Sequence, residues 1–251
     1  MSAATSFSEA LARVRDVEGW MTDAQARALW ETAETMRPPG QIVEIGSFRG
    51  RSTIVLASAR PDGVQLVAID PHGGNDRGPQ EYAPNAEVGD SDFTVFWDNL
   101  RRAGVDDRVR HIREPSQAAL DAVTGPIDLL YIDGAHRYAP ARADIERWGE
   151  RVPPGGAMLI HDSFNAIGVM LAQLRLLVFS RRWRYVGRRG SLAIYRREVL
   201  TPVAALISGS RQLASVPWFV RNLLVKVAVV TRLTPLARLL GHTGEHGPWP
   251  Y

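Results

Sequence analysis

The sequence predicts an α/β fold in which a mostly parallel sheet is covered by helices on both faces. Three observations support this prediction. From residue 41 onward, short apolar runs rich in β-branched residues alternate with longer helical patterns, as in doubly wound folds. Proline and glycine interrupt the chain at 38–40 and 153–156, directly before two of the apolar runs. A basic turn at Arg189-Gly190 separates two further runs, which is typical of an antiparallel hairpin.

Seven strands and the helices between them follow in order along the chain. Strands are predicted at 41–45, 64–70, 109–112, 127–133 and 157–162, and a terminal antiparallel hairpin at 183–188 and 191–196. Helices are predicted at 50–60, 93–104, 117–123, 138–151 and 169–180. We divide the chain into an N-terminal helical segment at 1–38, a sheet domain at 39–198 and a C-terminal helical extension at 199–251. The N-terminal segment contains a helical pattern at 22–36 that Asp23 could cap.

The formal net charge of +3 hides an asymmetry along the chain. Residues 1–180 hold 18 Arg and no Lys against 25 acidic residues, a net charge of −7, and residues 181–251 hold 12 basic residues against two acidic ones, a net charge of +10. The absence of cysteine excludes disulfides, zinc–thiolate sites and a thiol nucleophile. The N-terminus has no apolar core of signal-peptide length, because Glu9 and Asp16 interrupt it, so we expect a cytoplasmic protein.

The C-terminal extension is both basic and apolar. Its helical pattern at 200–240 contains Trp218, Phe219 and several Val and Leu residues, with Arg221 and Lys226 between them. A helix that is apolar around most of its circumference requires burial, so packing on the body or on the partner in a homodimer is the first expectation. Peripheral contact with a membrane surface is the second, since no uncharged stretch is long enough to span a bilayer. No nucleic-acid-binding motif is present, and nucleic acid is not expected as a partner.

A glycine-containing turn after the first strand indicates a nucleoside-like ligand. In residues 43–52, Gly46 allows the backbone to pass close to a ligand and Gly50 allows tight entry into the next helix. Ser52 falls in the first turn of that helix, where free N–H groups favour an anion. Asp70 ends the second strand, 24 residues after Gly46, where doubly wound folds place an acid on a ribose diol. The alternative is a plain strand-to-helix turn.

Two carboxylates end neighbouring strands of the predicted sheet. Asp133 follows the fourth strand and Asp162 follows the fifth, so both are expected at one edge of the sheet. Paired carboxylate oxygens at this edge suit Mg²⁺. His136 follows three residues after Asp133. The alternatives are helix capping by the aspartates and a structural histidine.

These residues resemble the class I S-adenosylmethionine-dependent O-methyltransferases, especially the metal-dependent branch that includes catechol O-methyltransferase and the sugar O-methyltransferases of macrolide biosynthesis. The resemblance covers roughly residues 40–198. It implies a Rossmann-like class I methyltransferase sheet, with S-adenosylmethionine and Mg²⁺, or another divalent cation, as cofactors. It implies that the cofactor is bound by Glu44, Gly46, Ser52, Asp70, Ser116 and Gln117. It further implies metal binding by Asp133 and Asp162, with Ser163 or His161 beside Asp162, and catalysis by Asp133 and by His136 as the base.

The expected function is therefore Mg²⁺-assisted methylation of a hydroxyl on a small-molecule acceptor, a sugar or a glycosylated metabolite. The choice of a saccharide depends on the resemblance of Asp133-x-x-His136 to the sugar enzymes, and on a polar loop at 71–92. We expect that loop to close over the site and to offer hydrogen-bonding groups from His72, Asn75, Asp76 and Tyr82. A phenolic or catechol acceptor is the alternative within the class. A non-catalytic protein of the same fold, acting through its C-terminal helices, is the alternative outside it.

Overall fold

A seven-stranded sheet forms the centre of the molecule. The computed structural model describes residues 5–75 and 83–242. The strands are β1 (Gly40–Ile45), β2 (Val64–Ile69), β3 (Arg110–Ile112), β4 (Leu129–Ile132), β5 (Ala157–Ile160), β6 (Trp183–Arg189) and β7 (Leu192–Arg197). Their order in the sheet is β3-β2-β1-β4-β5-β7-β6. Neighbouring strands from β3 to β5 are parallel, and β7 runs antiparallel to both β5 and β6. The predicted class I methyltransferase sheet with its terminal hairpin is confirmed.

Helices cover both faces of the sheet. They are α1 (Phe7–Arg13), α2 (Asp23–Ala33), α3 (Arg51–Ala59), α4 (Ala86–Ala103), α5 (Tyr138–Gly149), α6 (Ile167–Leu176), α7 (Pro202–Leu213), α8 (Val216–Val230) and α9 (Thr234–Leu239). One core joins α1 to α4 to the sheet through side chains such as Leu29, Ile54 and Leu100. A second core lies on the other side under α5 and α6, around Trp148 and Met170.

The strand order reverses between β1 and β4, which lie side by side at the centre of the sheet. β4 reads Leu-Leu-Tyr-Ile and all four residues are buried, as expected of a strand covered on both faces. β1 pairs with β2 on one side and with β4 on the other. Such a switch point opens a crevice beyond the carboxyl ends of the two strands, where ligands of doubly wound folds bind.

One predicted helix is wrong. The segment 117–123 forms only a short 3-10 helix at Ala119–Ala122. The Ala118 N–H donates to the carbonyl of Pro115 at 2.9 Å, and this tight turn begins the short i→i+3 pattern.

Two predicted helix starts are also corrected. Helix α4 begins seven residues before the predicted start at 93, because the Asn85 side chain accepts a hydrogen bond from the Val88 N–H and caps the helix. Residues 86–92 of the predicted polar loop therefore belong to α4, and Asp76 and Tyr82 lie outside the described residues. Helix α2 is capped by Thr22 rather than by Asp23, through a reciprocal pair of hydrogen bonds with Gln25.

The extension packs on the body of the molecule. The edge strand β6 donates the Tyr185 N–H to the Ser208 hydroxyl of α7 at 2.8 Å. Helix α8 contacts the loop after β5, where the Asn222 amide donates to the carbonyl of Phe164 at 2.8 Å. Contrary to the expectation from its composition, α8 faces the body with a side that includes this polar residue, while much of its apolar surface is exposed.

Candidate active site

A cavity of about 370 Å³ lies at the switch point, lined by the loops that follow β1, β2 and β4. Gly46 and Gly50 have φ of +85° and +87°, in the left-handed region that favours glycine. A Cβ at Gly46 would lie 2.1 Å from the carbonyl oxygen of Asp133. The loops after β1 and β4 therefore approach each other closely, which only glycine permits, and Gly46 lines the cavity.

Glu44 lies beneath this loop rather than on the cavity wall. Its side chain is fully buried, and its two oxygens accept hydrogen bonds from the hydroxyls of Ser52 and Thr53, the latter at 2.6 Å. Burial raises the pKa of Glu44 to about 8, although the two hydroxyls act to lower it. The carboxyl group is therefore mostly neutral at pH 7 and joins β1 to the first turn of α3. Ser52 reaches the cavity, but its hydroxyl is turned toward Glu44.

Asp70 organises the backbone of the glycine-containing loop. Its Oδ2 accepts hydrogen bonds from the N–H groups of Ser47 at 2.9 Å and Phe48 at 2.8 Å. Its Oδ1 accepts one from the N–H of His72 at 2.7 Å. The side chain lines the cavity, so the predicted ribose-binding residue lies at the predicted edge while also holding the loop in shape.

Ser116 and Gln117 are held together by Asp144, a residue of α5. The Ser116 hydroxyl and the Gln117 amide both donate to Asp144 Oδ1, at 2.5 and 2.7 Å. Burial raises the pKa of Asp144 to about 6, against the lowering effect of these two donors. All three side chains line the cavity on one side of the glycine-containing loop. The pair predicted to face an adenine is thus fixed in position by a carboxylate.

Asp133, His136 and Asp162 form a cluster at the ends of β4 and β5. One ligand atom from each residue lies within 4.8 Å of the other two. His136 Nε2 is 3.0 Å from Asp162 Oδ2. Burial disfavours the charged imidazole of His136, but the charge of Asp162 and its hydrogen bond outweigh burial and raise the pKa of His136 above its usual value. Sequence reasoning placed these three residues at one edge, and the structure brings them together.

A buried imidazole and a tyrosine surround the two carboxylates. His161 Nδ1 lies 3.1 Å from Asp133 Oδ1 and 3.6 Å from Asp162 Oδ1. The Tyr131 hydroxyl donates to Asp133 Oδ2 at 2.9 Å. Burial alone would raise the pKa of Asp162, yet His161 and His136 hold it well below its usual range. The cluster therefore joins two carboxylates to two imidazoles at neighbouring strand ends.

Asn165 lies beside this cluster, and Ser163 does not line the cavity. Ser163 is fully buried and donates its hydroxyl hydrogen to the carbonyl of Ile160 at 2.6 Å, and its place among the metal ligands stays a prediction. Asn165 lines the cavity and donates its amide to Asp162 Oδ1 at 3.1 Å. Its buried Oδ1 has no hydrogen-bond partner within 5–75 and 83–242. Carboxylate and amide oxygens are donors that suit a hard divalent cation, so the residues present fit one.

The polar loop after β2 contributes His72 and Asn75 to the cavity wall. His72 is only 4% exposed, and its Nε2 lies 3.1 Å from Nε2 of His111. Burial, together with the neighbouring imidazole, lowers the pKa of His111 to about 4. Both rings pack against Phe96, so a buried and a half-buried imidazole lie together beside the loop that Asp70 organises.

Three residues of the site were missed by sequence reasoning: Tyr131, Asp144 and Asn165. Tyr131 carried a signal, because residues two apart on a strand share a face and Tyr131 precedes Asp133 by two. Asp144 carried one as well, since it lies three positions after the buried Ala141 and four before the buried Trp148, on the apolar face of α5. Asn165 carried none, because its position depends on the turn after β5.

The fold is a Rossmann-like class I methyltransferase fold with a cavity at the switch point. Residues 43–163 match a family model described as "Methyltransferase domain". This match and the two relatives below agree with the predicted resemblance to class I S-adenosylmethionine-dependent O-methyltransferases.

Curated relatives and solved structures agree with this assignment. The chain is 28% identical over 144 residues to O-methyltransferase hkm8 of Aspergillus hancockii, covering 57% of this chain and 50% of the relative. It is 33% identical over 136 residues to a catechol O-methyltransferase of Mycobacterium tuberculosis, covering 53% and 52%. The chain therefore spans about half the length of the curated relatives it matches. The O-methyltransferase TomG of Streptomyces achromogenes, solved with S-adenosylmethionine, shares the fold with a TM-score of 0.54, 18% identity and coverage of 78% of this chain and 92% of TomG.

Proposed function

We propose that this protein transfers a methyl group from S-adenosylmethionine to a hydroxyl oxygen of a sugar or glycosylated small molecule, with the help of a divalent cation. The observation that carries the proposal is the cluster of Asp133, His136 and Asp162, which opens into the same cavity as the loop at Gly46. A methyl acceptor and a nucleoside-like cofactor can meet there. Methyl transfer is an in-line displacement that needs the acceptor oxygen held in line and its proton removed.

Different residues of the cavity lining suit the adenine, the ribose and the sulfonium of S-adenosylmethionine. Ser116 and Gln117, fixed by Asp144, line the side proposed for the adenine. Asp70 is proposed to meet the ribose hydroxyls, because it ends β2 and lines the cavity. The carboxylates of Asp133 and Asp162 lie beyond the glycine-containing loop, where negative charge favours a cationic sulfonium. A cofactor held by these residues would supply its methyl group to an acceptor beside Asp133 and Asp162.

Asp133, Asp162 and the amide oxygen of Asn165 are the proposed holders of a divalent cation. When bound there, the cation would lower the pKa of an acceptor hydroxyl and orient it. Asn165 replaces Ser163 in this proposal, because its Oδ1 is buried beside Asp162 and lacks a partner within the described parts of the chain. Tyr131 contributes by fixing Asp133 through a hydrogen bond of 2.9 Å.

His136 is the proposed base. The acceptor oxygen forms a bond to the methyl carbon while the bond from that carbon to sulfur breaks, and the hydroxyl proton passes to His136 Nδ1, because Nε2 is paired with Asp162. Asp162, whose Oδ2 lies 3.0 Å from Nε2, orients the ring and stabilises the imidazolium that results. The products are the methyl ether and S-adenosylhomocysteine.

A saccharide acceptor is supported by the Asp133-x-x-His136 spacing and by polar side chains such as Asn75 on the cavity wall. A catechol or phenol is the second candidate, because the relative from Mycobacterium tuberculosis is named a catechol O-methyltransferase and because Trp20 and Phe48 also line the cavity. Both candidates use the same carboxylates and the same base.

The test combines cofactor binding with turnover. Titration calorimetry with S-adenosylmethionine tests the binding site, and mass-spectrometric detection of methylated product from matched panels of glycosides and catechols tests the acceptor class. We expect His136→Ala to bind the cofactor normally and to lose at least about 100-fold in turnover, and His242→Ala, as the matched control, to behave like the wild type. A strict preference for catechols would contradict the saccharide proposal. Cofactor binding without turnover on any acceptor would favour a non-catalytic protein, and absence of binding would refute the enzyme.

A further inference from the structure

The helices of the C-terminal extension expose many large apolar side chains, while their buried sides include polar residues such as Asn222, Ser208 and Gln212 beside apolar ones. Eleven large apolar side chains between residues 203 and 239 are 38–83% exposed. On α8, Val220, Leu224 and Val227 share one exposed face at i, i+4 and i+7. On α7, the adjacent side chains of Leu206 and Ile207 are exposed as well. We call the exposed apolar side of α7, α8 and α9 the C-terminal face. A soluble helix normally shows the opposite pattern, with its apolar side toward the core.

Polar contacts fix which side of these helices faces the body. Asn222 of α8 is fully buried and donates to the carbonyl of Phe164, and the Lys226 ammonium donates to the carbonyl of Asn165 at 2.6 Å. Ser208 of α7 is 6% exposed and accepts from the backbone of β6. These contacts, together with the buried Val225 and Ala228 of α8, hold one side of the helices against the domain and leave many large apolar side chains outward.

The charges of the extension complement an anionic surface. Residues 199–242 contain no Asp or Glu, four Arg and one Lys. Arg211, Arg232 and Arg238 are exposed on the helices that carry the C-terminal face or between them. A second copy of this chain seated face to face would bring these cations together with no acid on either side to pair with them. Anionic lipid headgroups offer the matching charge, with acyl chains beneath for the apolar side chains.

We propose that the C-terminal face docks in the plane of an anionic lipid bilayer. Within the described residues, the helical stretch 202–230 is long and apolar enough to cross a bilayer by length and composition, and only 17% of its most apolar window is buried. Peripheral docking accounts for the structure better than crossing, because a helix that crosses would give up the contacts of Asn222 and Lys226 with the body. Arginines at the edge of the face can extend to the headgroups while the apolar side chains enter the interface.

Vesicle binding by the full chain tests this proposal. We expect cosedimentation with vesicles of equimolar phosphatidylcholine and phosphatidylglycerol, at least about tenfold tighter than with phosphatidylcholine alone, and weakened when NaCl is raised from 0.1 to 0.5 M. Leu224→Gln with Val227→Gln should weaken binding at least about tenfold. Arg232→Gln and Arg238→Gln should weaken it about fivefold each. The matched controls are Val186→Gln, at a valine 51% exposed on β6, and Arg101→Gln on α4, which should bind like the wild type.

Three outcomes would overturn the proposal. The first is equal binding to both kinds of vesicle, or to neither. The second is a loss of binding in the controls that matches the loss in the variants of the C-terminal face. The third is a dimer in light scattering that Leu224→Gln with Val227→Gln converts to a monomer, which would assign the face to a second copy. All substituted side chains are exposed, and thermal melts by circular dichroism check that each variant is folded.

Discussion

Replacing Glu44 by Gln should make the stability of the protein less dependent on pH. Glu44 is fully buried between β1 and α3, and burial raises its pKa to about 8 from a model-peptide value of 4.5. Gln has the shape of the neutral carboxyl group but cannot ionise. In the wild type, this group is neutral when folded and ionised when unfolded over a wide pH range, which makes the free energy of unfolding depend on pH. In the variant, the residue is neutral in both states, so that dependence is absent.

The sign and size of the effect follow from the two pKa values. A group whose pKa is raised on folding contributes full stability below the unfolded pKa of 4.5, and this contribution is lost as pH rises through about 8. At 1.36 kcal/mol per pH unit, the wild type loses about 5 kcal/mol over this interval through Glu44 alone. The variant keeps one acceptor oxygen for the two hydroxyls of Ser52 and Thr53, which costs about 1 kcal/mol at every pH. Wild type and variant should therefore be equally stable at about pH 5, and at pH 8, where the folded carboxyl is half ionised, the variant should be the more stable by about 3 kcal/mol.

Urea denaturation of both proteins between pH 4.5 and 8.5 measures this difference, and subtraction at each pH cancels groups that the substitution does not touch. Glu31→Gln is the matched control, because Glu31 is about half exposed on α2 and its substitution should give a difference independent of pH. A difference for Glu44→Gln that stays flat across the range would refute the assignment of a neutral carboxyl at this position.

Three further predictions concern the loops around the cavity. Gly46→Ala should destabilise the protein by more than about 2 kcal/mol in urea denaturation, because its Cβ would overlap a backbone carbonyl, whereas Gly125→Ala, at a similar φ of +83° with open space around it, should cost about 1 kcal/mol. Asp144→Ala should weaken S-adenosylmethionine binding about tenfold in calorimetry by releasing two anchored side chains, with Asp121→Ala as the unaffected control. Because burial lowers the pKa of His111 to about 4, stability should fall as pH drops from 6.5 toward 4, and His111→Gln should reduce that slope.

Features that depend on neighbouring residues in the chain could be predicted from the sequence. Gly46 and Gly50 predict a close backbone approach and a tight entry into the next helix, and both have φ near +86°, in the left-handed region that favours glycine. The aspartates at 133 and 162 follow apolar runs, and their proximity follows from the rule that parallel strands end at one edge. The strands themselves needed no tertiary information, because a run such as 129–132 is apolar throughout.

Features that depend on the rotation of a helix or on a single turn could not be predicted. The contact of Asp144 with Ser116 and Gln117 joins residues 27 and 28 positions apart and requires the rotation of α5. Asp162 has a φ of +51°, which bends the chain after β5 so that Asn165 turns back onto it. No spacing in the sequence specifies that turn, and for this reason Ser163 was predicted as a ligand where Asn165 has the available oxygen.

The acidic body and the basic extension meet at the loop after β5. Lys226 donates to the carbonyl of Asn165, and Asp162 acts to raise the pKa of this lysine while burial lowers it. Asn222 satisfies the neighbouring carbonyl of Phe164 in the fully buried part of the same loop. A buried carbonyl without a donor costs about 1–3 kcal/mol, so α8 supports the loop that sets the position of Asp162. The cations of the extension therefore have two locations: Lys226 is turned inward toward the carboxylate cluster, and exposed arginines flank the outward apolar face. A chain that ended at residue 198 would leave this loop without two of its donors.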